Sequence, residues 1–460
     1  MGLDPPPPAE LDSRPRVVAR RVRSDLLPTW PRPLIGALRR GRRQRRHTRV
    51  TEVSQLSAAA LVDQAEQWGA QNYEPLPVVL SRAEGVWVWD VNGTRYLDML
   101  SAYSALNQGH RHPSIIAAAE EQLQRLTLTS RAFHNDRMGP FLAALCTATG
   151  YEKALLMNTG AEAVETAIKM VRKWGFEVKG VPENQGEIIV CEGNFAGRTT
   201  TIVGFSSEES YKRGFGPFTP GFRMVPYGDV EAFRAAVSKN TVGFLVEPIQ
   251  GEGGVVVPPD GYLSKTREIC GSERVAFMAD EIQTGLGRTG RLFCCDWERV
   301  RPDVLIVGKA LGGGVYPVSA AIADSEYMGV FRPGDHGSTF GGNPLGAAVA
   351  EAALKVILDE NLAECADRLG SWFMEELKTL SSPHIDHVRG RGLMIGVVIR
   401  ESSGPARVFC EALMERGILA KETHHQVVRF APPLVIEKET LEWALEHIGP
   451  VLAGEGVMLA

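Results

Sequence analysis

Between about residues 100 and 345, short and nearly continuous apolar runs alternate with stretches of helical periodicity, and this alternation narrows the fold more than any other feature. The runs are Glu187 to Cys191, Val242 to Val246, Val275 to Met278 and Val304 to Val307. A strand that is apolar on both faces needs cover on both, which helices flanking a parallel sheet provide. The expectation is therefore an α/β domain with a mostly parallel central sheet. In such sheets ligands sit beyond the carboxyl ends of the strands, so chemistry is expected at Asn194, Glu247, Asp280 and Lys309, which follow or end the runs.

After residue 350 the pattern changes to a long amphipathic helix from Ala350 to Leu380, a strand from Leu393 to Ile399, another helix, and a strand from Val427 to Phe430. That order suits a smaller α+β domain. The predicted helix Leu56 to Ala70 and the hairpin-like run from Gly85 to Thr94 join it. The expected organisation is an extension over 1–50, a joining segment over 51–103, a large domain over 104–348 and a small domain over 349–460.

The extension differs in composition from all that follows. It carries a proline run at Pro5 to Pro8, then thirteen arginines, no lysine and one acid, Asp25, between Arg14 and Arg49. Such a stretch is expected to be disordered. A mitochondrial transit peptide, a nucleic-acid-binding arm and an extension from an upstream translation start all suit it. Pro15, Pro28, Pro31 and Pro33 interrupt the amphipathic helix that a transit peptide requires, which favours the third reading and a cytoplasmic location over the mitochondrial matrix.

The chain as a whole has a net charge of −5 over 460 residues, which gives no general attraction to nucleic acid or anionic membrane. No apolar run approaches the roughly 20 residues of a membrane-spanning helix. Seven scattered cysteines without C-x-x-C spacing suit a reducing compartment, with Cys294 and Cys295 read as buried packing rather than a redox pair. No metal site is expected.

Several strand ends and helix starts carry candidates for one site. Lys309 emerges past an apolar strand beside Gly312-Gly313-Gly314, where burial would favour its neutral, nucleophilic form. Asp280 ends the neighbouring run. Asn158-Thr-Gly-Ala opens a helix whose free N–H groups suit a phosphate. Ser338 and Thr339 precede another helix start and offer hydroxyls to the same phosphate. Phe195 supplies a flat face, and Arg198 a fork for a carboxylate. Taken singly, each signal equally fits a helix cap, a core aromatic or a solvated surface residue.

In this order the set resembles the class III aminotransferases of fold type I, which depend on pyridoxal 5'-phosphate. Leu245-Val-Glu-Pro-Ile-Gln, Ala279-Asp-Glu-Ile-Gln-Thr-Gly and Gly308-Lys-Ala carry the likeness, which extends over residues 55 to 450. The resemblance implies that Lys309 holds the cofactor aldehyde and shuttles protons, and that Asp280 pairs with the pyridine nitrogen. It further implies that Gln283 touches the phenolic oxygen, Phe195 stacks on the ring, and Gly160 and Ala161 hold the phosphate. Ser338 and Thr339 would reach the phosphate of a second subunit, implying a homodimer with shared sites.

Longer runs resemble the branch of the family that acts on ornithine: Asn72-Tyr-Glu-Pro-Leu-Pro, Ser104-Ala-Leu-Asn-Gln-Gly-His, Gly214-Phe-Gly-Pro-Phe-Thr-Pro-Gly-Phe and Arg429-Phe-Ala-Pro-Pro-Leu-Val-Ile. This likeness implies transfer of the ornithine side-chain amine to 2-oxoglutarate, giving glutamate and a semialdehyde that cyclises to pyrroline-5-carboxylate. Arg198 would hold the ornithine α-carboxylate and the distal carboxylate of 2-oxoglutarate. Arg429 would hold the keto acid's α-carboxylate and be masked by Glu252 while ornithine reacts. Tyr73 and Tyr103 would surround the substrate. The alternatives are a relative acting on acetylornithine or 4-aminobutyrate, or a cofactor-binding regulator whose basic arm contacts DNA.

Overall fold

The structure is a computed structural model that describes residues 56–458. The arginine-rich extension over 1–50 lies outside the described residues. No helix among those described is long and apolar enough to cross a membrane.

The central sheet has seven strands: β1 (Lys153–Met157), β2 (Glu187–Cys191), β3 (Phe222–Val225), β4 (Thr241–Val246), β5 (Ala276–Asp280), β6 (Val304–Val307) and β7 (Ser319–Ala323). Their order across the sheet is β1-β7-β6-β5-β4-β2-β3. All neighbours pair in parallel except β7, which runs antiparallel to both β1 and β6. Strands β4, β5 and β6 are buried at every position, as their unbroken apolar runs require, because separate cores press on the two faces. The sheet is thus the mostly parallel one expected. The sequence reading found β2 and β6 at their observed bounds and missed β1, β3 and β7, whose apolar runs are preceded or interrupted by Lys153, Arg223 and Ser319.

Two further four-stranded sheets flank it. One joins Leu80–Glu84, Trp87–Asp90 and Arg95–Asp98 to Ile418–Leu419, which pairs in parallel with Leu97 and Asp98. The segment before residue 100 is therefore stitched to the C-terminal part by main-chain hydrogen bonds. The other contains Ile385–Arg391, Met394–Ile399, Val427–Phe430 and Lys421–Thr423. The expected helix over Ala350 to Leu380 is two helices, Pro344–Asp359 and Leu362–Thr379, broken where Asn361 takes a left-handed φ of 52°. The periodicity passes through the break, because both helices bury apolar faces in one core.

Candidate active site

Strands β4, β5 and β6 lie side by side, so Glu247, Asp280 and Lys309 come to one edge of the sheet. Lys309 has a φ of 46°, a left-handed conformation that costs a residue with a Cβ about 1–2 kcal/mol. Strain of that kind persists where the surrounding structure enforces it. Burial pulls the Lys309 ammonium down to about 8, giving an amine that is partly nucleophilic near neutral pH. Burial also pushes Asp280 up to about 7, against the pull of the Ile282 N–H, 3.1 Å from Oδ1, and of Lys309.

A cavity of about 190 Å³ covers these groups, with Gly160, Ala161, Phe195, Gln283 and Glu252 in its walls. The helix Gly160–Trp174 begins there, where the Asn158-Thr-Gly-Ala run places its start. Thr159 caps it: its hydroxyl accepts the Glu162 N–H, and the Glu162 carboxylate accepts the Thr159 N–H at 2.8 Å and the Asn158 N–H at 2.9 Å. The N–H groups of Gly160 and Ala161 are left for an anion at the positive end of the helix. Gly197 lets the Phe195 loop close on this turn, since a Cβ at its φ of 131° would come within 2.8 Å of the Ala161 Cβ.

Glu247 reaches across to the same loop and accepts the Phe195 N–H at 2.8 Å. Burial, reinforced by the nearby Asp280, raises its carboxyl well above the usual range. Sequence reasoning placed Glu247 at a strand end without finding this bond, which joins residues far apart in the chain.

On the opposite wall, Glu252 Oε1 accepts from Arg429 Nη1 at 2.7 Å and from Gln283 Nε2 at 3.2 Å. Arg429 is 1% exposed, and its Nε and Nη2 have no partner among the described residues. Burial works against the Glu252 carboxylate, but Arg429 and Lys309 outweigh it and hold the group below its ordinary range. The loop must pass close to Gln283, and Gly251 allows this because a Cβ there would fall 1.4 Å from Oε1.

Tyr103 lies with its ring 4.9 Å from the Arg429 guanidinium carbon. It is presented by a single left-handed turn, Ser101 to Ser104, in which every φ is positive and no residue is glycine. Asp98 holds that turn by accepting the Leu100 and Ser101 N–H groups at 2.9 Å, and Ser101 Oγ donates to the Ala431 carbonyl at 2.6 Å.

A second cavity of about 280 Å³ shares Phe195 and Glu252 with the first. Beside it Arg198 is exposed and forms no ion pair among the described residues, and its guanidinium lies 3.7 Å from the Tyr211 ring centroid. The structure thus brings Lys309, Asp280, Gly160, Ala161, Phe195, Gln283 and Glu252 around the first cavity, with Arg429 and Tyr103 behind Glu252 and Arg198 behind the Phe195 and Tyr211 rings. Tyr73 is 78% exposed and lines neither. Ser338 and Thr339 also lie outside both, and Ser338 Oγ instead accepts from Asn158 Nδ2 at 2.9 Å, beside the helix start. Cys294 and Cys295 are buried free thiols on a turn whose N–H groups bond to Glu281, which fits the packing role expected of them.

Pyridoxal phosphate fits these groups. A buried amine, a buried acid on the adjacent strand, an aromatic face, two free N–H groups at a helix start and the unpartnered, buried Gln283 Oε1 surround one small cavity. Larger cavities of about 640 and 760 Å³ elsewhere lack any such pairing of lysine and strand-end acid.

Comparison with known proteins agrees with the site. The family "Aminotransferase class-III" matches residues 68–452. An ornithine aminotransferase of Brevibacillus brevis is 59% identical over 392 residues, covering 85% of this chain and 98% of that protein. The crystal structure of the ornithine aminotransferase of Toxoplasma gondii superposes with a TM-score of 0.85 at 46% identity, covering 86% of this chain and 95% of the other. A structure named as the acetylornithine aminotransferase of Elizabethkingia anophelis gives a TM-score of 0.79 at 47% identity, covering 86% and 98%. With a strand-end lysine and acid, a capped helix start and a family match across nearly all of the described residues, this chain belongs to the class III aminotransferases, pyridoxal-phosphate enzymes of fold type I.

Proposed function

We propose that this enzyme transfers the side-chain amine of L-ornithine to 2-oxoglutarate, giving glutamate 5-semialdehyde and glutamate in two alternating half-reactions. The observation that carries the reading is the Arg429–Glu252 pair at 2.7 Å, set against an Arg198 that has no acidic partner among the described residues. Ornithine carries a carboxylate only at its far end when its side-chain amine reacts. 2-Oxoglutarate carries one at each end. A site with one open arginine and one masked arginine matches that difference.

The bound cofactor supplies an aldehyde for amine capture and a ring that takes up electrons. Lys309 holds that aldehyde between turnovers and moves a proton at the carbon bearing the reacting amine. Asp280 keeps the proton on the ring nitrogen, and Phe195 covers one ring face. Gly160 and Ala161 would bind the phosphate through their N–H groups, and Gln283 would take the phenolic oxygen. Arg198 takes the α-carboxylate of ornithine and the distal carboxylate of 2-oxoglutarate. Arg429 takes the remaining carboxylate of 2-oxoglutarate once Glu252 releases it, and Tyr103 lines the approach.

The same reading makes the enzyme a homodimer, in which Ser338 and Thr339 reach the phosphate site of a second copy and Tyr73 is covered. Exposed Trp68, Phe133 and Phe340, at 82%, 73% and 45%, support the presence of an interface. Seven free cysteines support a cytoplasmic location.

The test mixes protein, cofactor and 2-oxoglutarate with ornithine, acetylornithine or 4-aminobutyrate in turn. Pyrroline-5-carboxylate should accumulate with ornithine at a kcat/KM at least tenfold above the product of either competitor. Comparable or better turnover of acetylornithine or 4-aminobutyrate overturns the substrate assignment.

A further inference from the structure

We infer that Tyr211 is a positioning residue that keeps the Arg198 guanidinium free for substrate carboxylates by occupying its face and leaving its edge open. The inference rests on the proposed role of Arg198 and adds what makes that role physically possible.

The ring that Arg198 lies on stands among carboxylates. Glu208, Glu252 and Glu422 line the cavity that contains Tyr211, and Glu208 is itself 3.9 Å from His424. An exposed arginine on a mobile stem would ordinarily fold its fork onto such a carboxylate. Arg198 forms no ion pair among the described residues. Its guanidinium carbon lies instead 3.7 Å from the centroid of Tyr211 and 5.5 Å from that of Phe195. The two rings meet edge to face, 6.2 Å apart at 81°, so they form a corner into which the cation fits.

The geometry of the guanidinium gives this corner its consequence. Its N–H donors all lie in the molecular plane and point outward from the edge, whereas attraction to an aromatic ring uses the face. A ring on the face and a carboxylate on the edge do not compete. A protein carboxylate on the edge, as at Arg429, competes directly with substrate. Tyr211 therefore fixes the plane of the fork without using the donors that a substrate needs. Its position in the short helix Glu209–Lys212, with the ring only partly buried, gives it no core of its own to fill.

The experiment compares Tyr211→Leu, Tyr211→Phe and Arg198→Ala holoenzymes, each checked for wild-type cofactor absorbance and melting temperature. Tyr211→Leu should raise KM for both ornithine and 2-oxoglutarate by about threefold to tenfold with kcat changed less than about twofold, the scale of one cation–π contact. Tyr211→Phe should restore most of that loss, because it keeps the ring face. With 1,4-diaminobutane, a donor that lacks the carboxylate, Tyr211→Leu and the parent enzyme should have the same kcat/KM. Unchanged KM values in Tyr211→Leu, a Phe variant as impaired as Leu, or an equal loss with the diamine each overturn the inference. Arg198→Ala separates the two layers: if it leaves both KM values unchanged, the role of Arg198 itself is wrong, whereas a large rise there with none in Tyr211→Leu sinks only the role of Tyr211.

Discussion

Arg198 and Arg429 are chemically the same side chain at two ends of one site, and the protein treats them in opposite ways. Arg429 is 1% exposed, its Nη1 is taken by Glu252 and its guanidinium carbon lies 4.9 Å from the Tyr103 ring. Arg198 is exposed, its guanidinium lies on Tyr211 and it has no carboxylate partner among the described residues. A buried guanidinium without a counter-charge is costly, so Arg429 needs Glu252 for stability whether or not substrate is present. An exposed one keeps its hydration and can wait unpaired. Burial on one side, and exposure with the Tyr211 ring on the guanidinium face on the other, thus separate a masked arginine from an open one, and each prediction below tests that separation.

The largest effect is expected at Arg429. Arg429→Ala leaves the Glu252 carboxylate without its partner and a void beneath Tyr103. Unfolding free energy should fall by about 3 kcal/mol, the lower end for a broken buried pair, because the Glu252 side chain is 26% exposed. The 2-oxoglutarate half-reaction should slow about a hundredfold or more, and the ornithine half-reaction far less. Urea unfolding and stopped-flow single turnovers read the two quantities. Equal slowing of both halves would break the distinction between the arginines.

Glu252→Gln removes the mask and keeps the shape. Arg429 then meets substrate carboxylates without competition, so glutamate should gain on ornithine as amine donor by about tenfold to a hundredfold, the range of one charge-assisted hydrogen bond. The ratio of half-reaction rates with the two donors measures it. An unchanged ratio would mean that Glu252 does not gate.

The same pair is wired to Lys309, and this gives a pH test. Burial lowers the lysine to about 8, while Glu252 pulls it up and Arg429 pushes it further down. Capture of the cofactor aldehyde by stripped enzyme needs the neutral amine, so its rate should climb about tenfold per pH unit below 8 and level off above it, where a solvated lysine would keep climbing toward about 10.4. Glu252→Gln removes an acid that favours the charged form, so the plateau should begin at a lower pH. A plateau at the parent position in that variant would show that the Arg429 end does not reach the lysine.

The parts of this arrangement that were legible in the sequence are those set by local pattern. Unbroken apolar runs gave the buried parallel strands, and the residues at their ends, Asp280 and Lys309, meet because neighbouring strands end together. The helix start at Asn158-Thr-Gly-Ala was legible, but not that Thr159 caps it together with Glu162. The Arg429–Glu252 pair came from family resemblance, since nothing in the spacing of positions 252 and 429 brings them within 2.7 Å. What stayed hidden depends on backbone conformations with no residue signature. The turn Ser101 to Ser104 is left-handed without a glycine and is enforced by Asp98 and Ala431, and Lys309 has a positive φ for reasons of surroundings alone. Tyr211 was invisible for a related reason: its contact with Arg198 is a meeting of two loops, and loops carry no periodicity from which to predict it.

The smallest effect is expected at Arg198, and it is the most discriminating. Arg198→Lys keeps the positive charge and loses the planar fork, so two parallel hydrogen bonds to a carboxylate become one from a point charge. KM should rise for ornithine and for 2-oxoglutarate together, by about threefold to tenfold, with kcat nearly unchanged. The pH at which cofactor capture levels off should stay where it is in the parent enzyme, because the strongest charged influences on Lys309 are Glu252 and Arg429. Steady-state kinetics with each substrate varied, and the capture rate measured across pH, read both. A rise confined to 2-oxoglutarate would place Arg198 in the gated role, and a shifted plateau would mean that the two ends of the site are not electrostatically separate. Only a joint rise in KM over an unmoved plateau leaves an open arginine at one end and a masked one at the other.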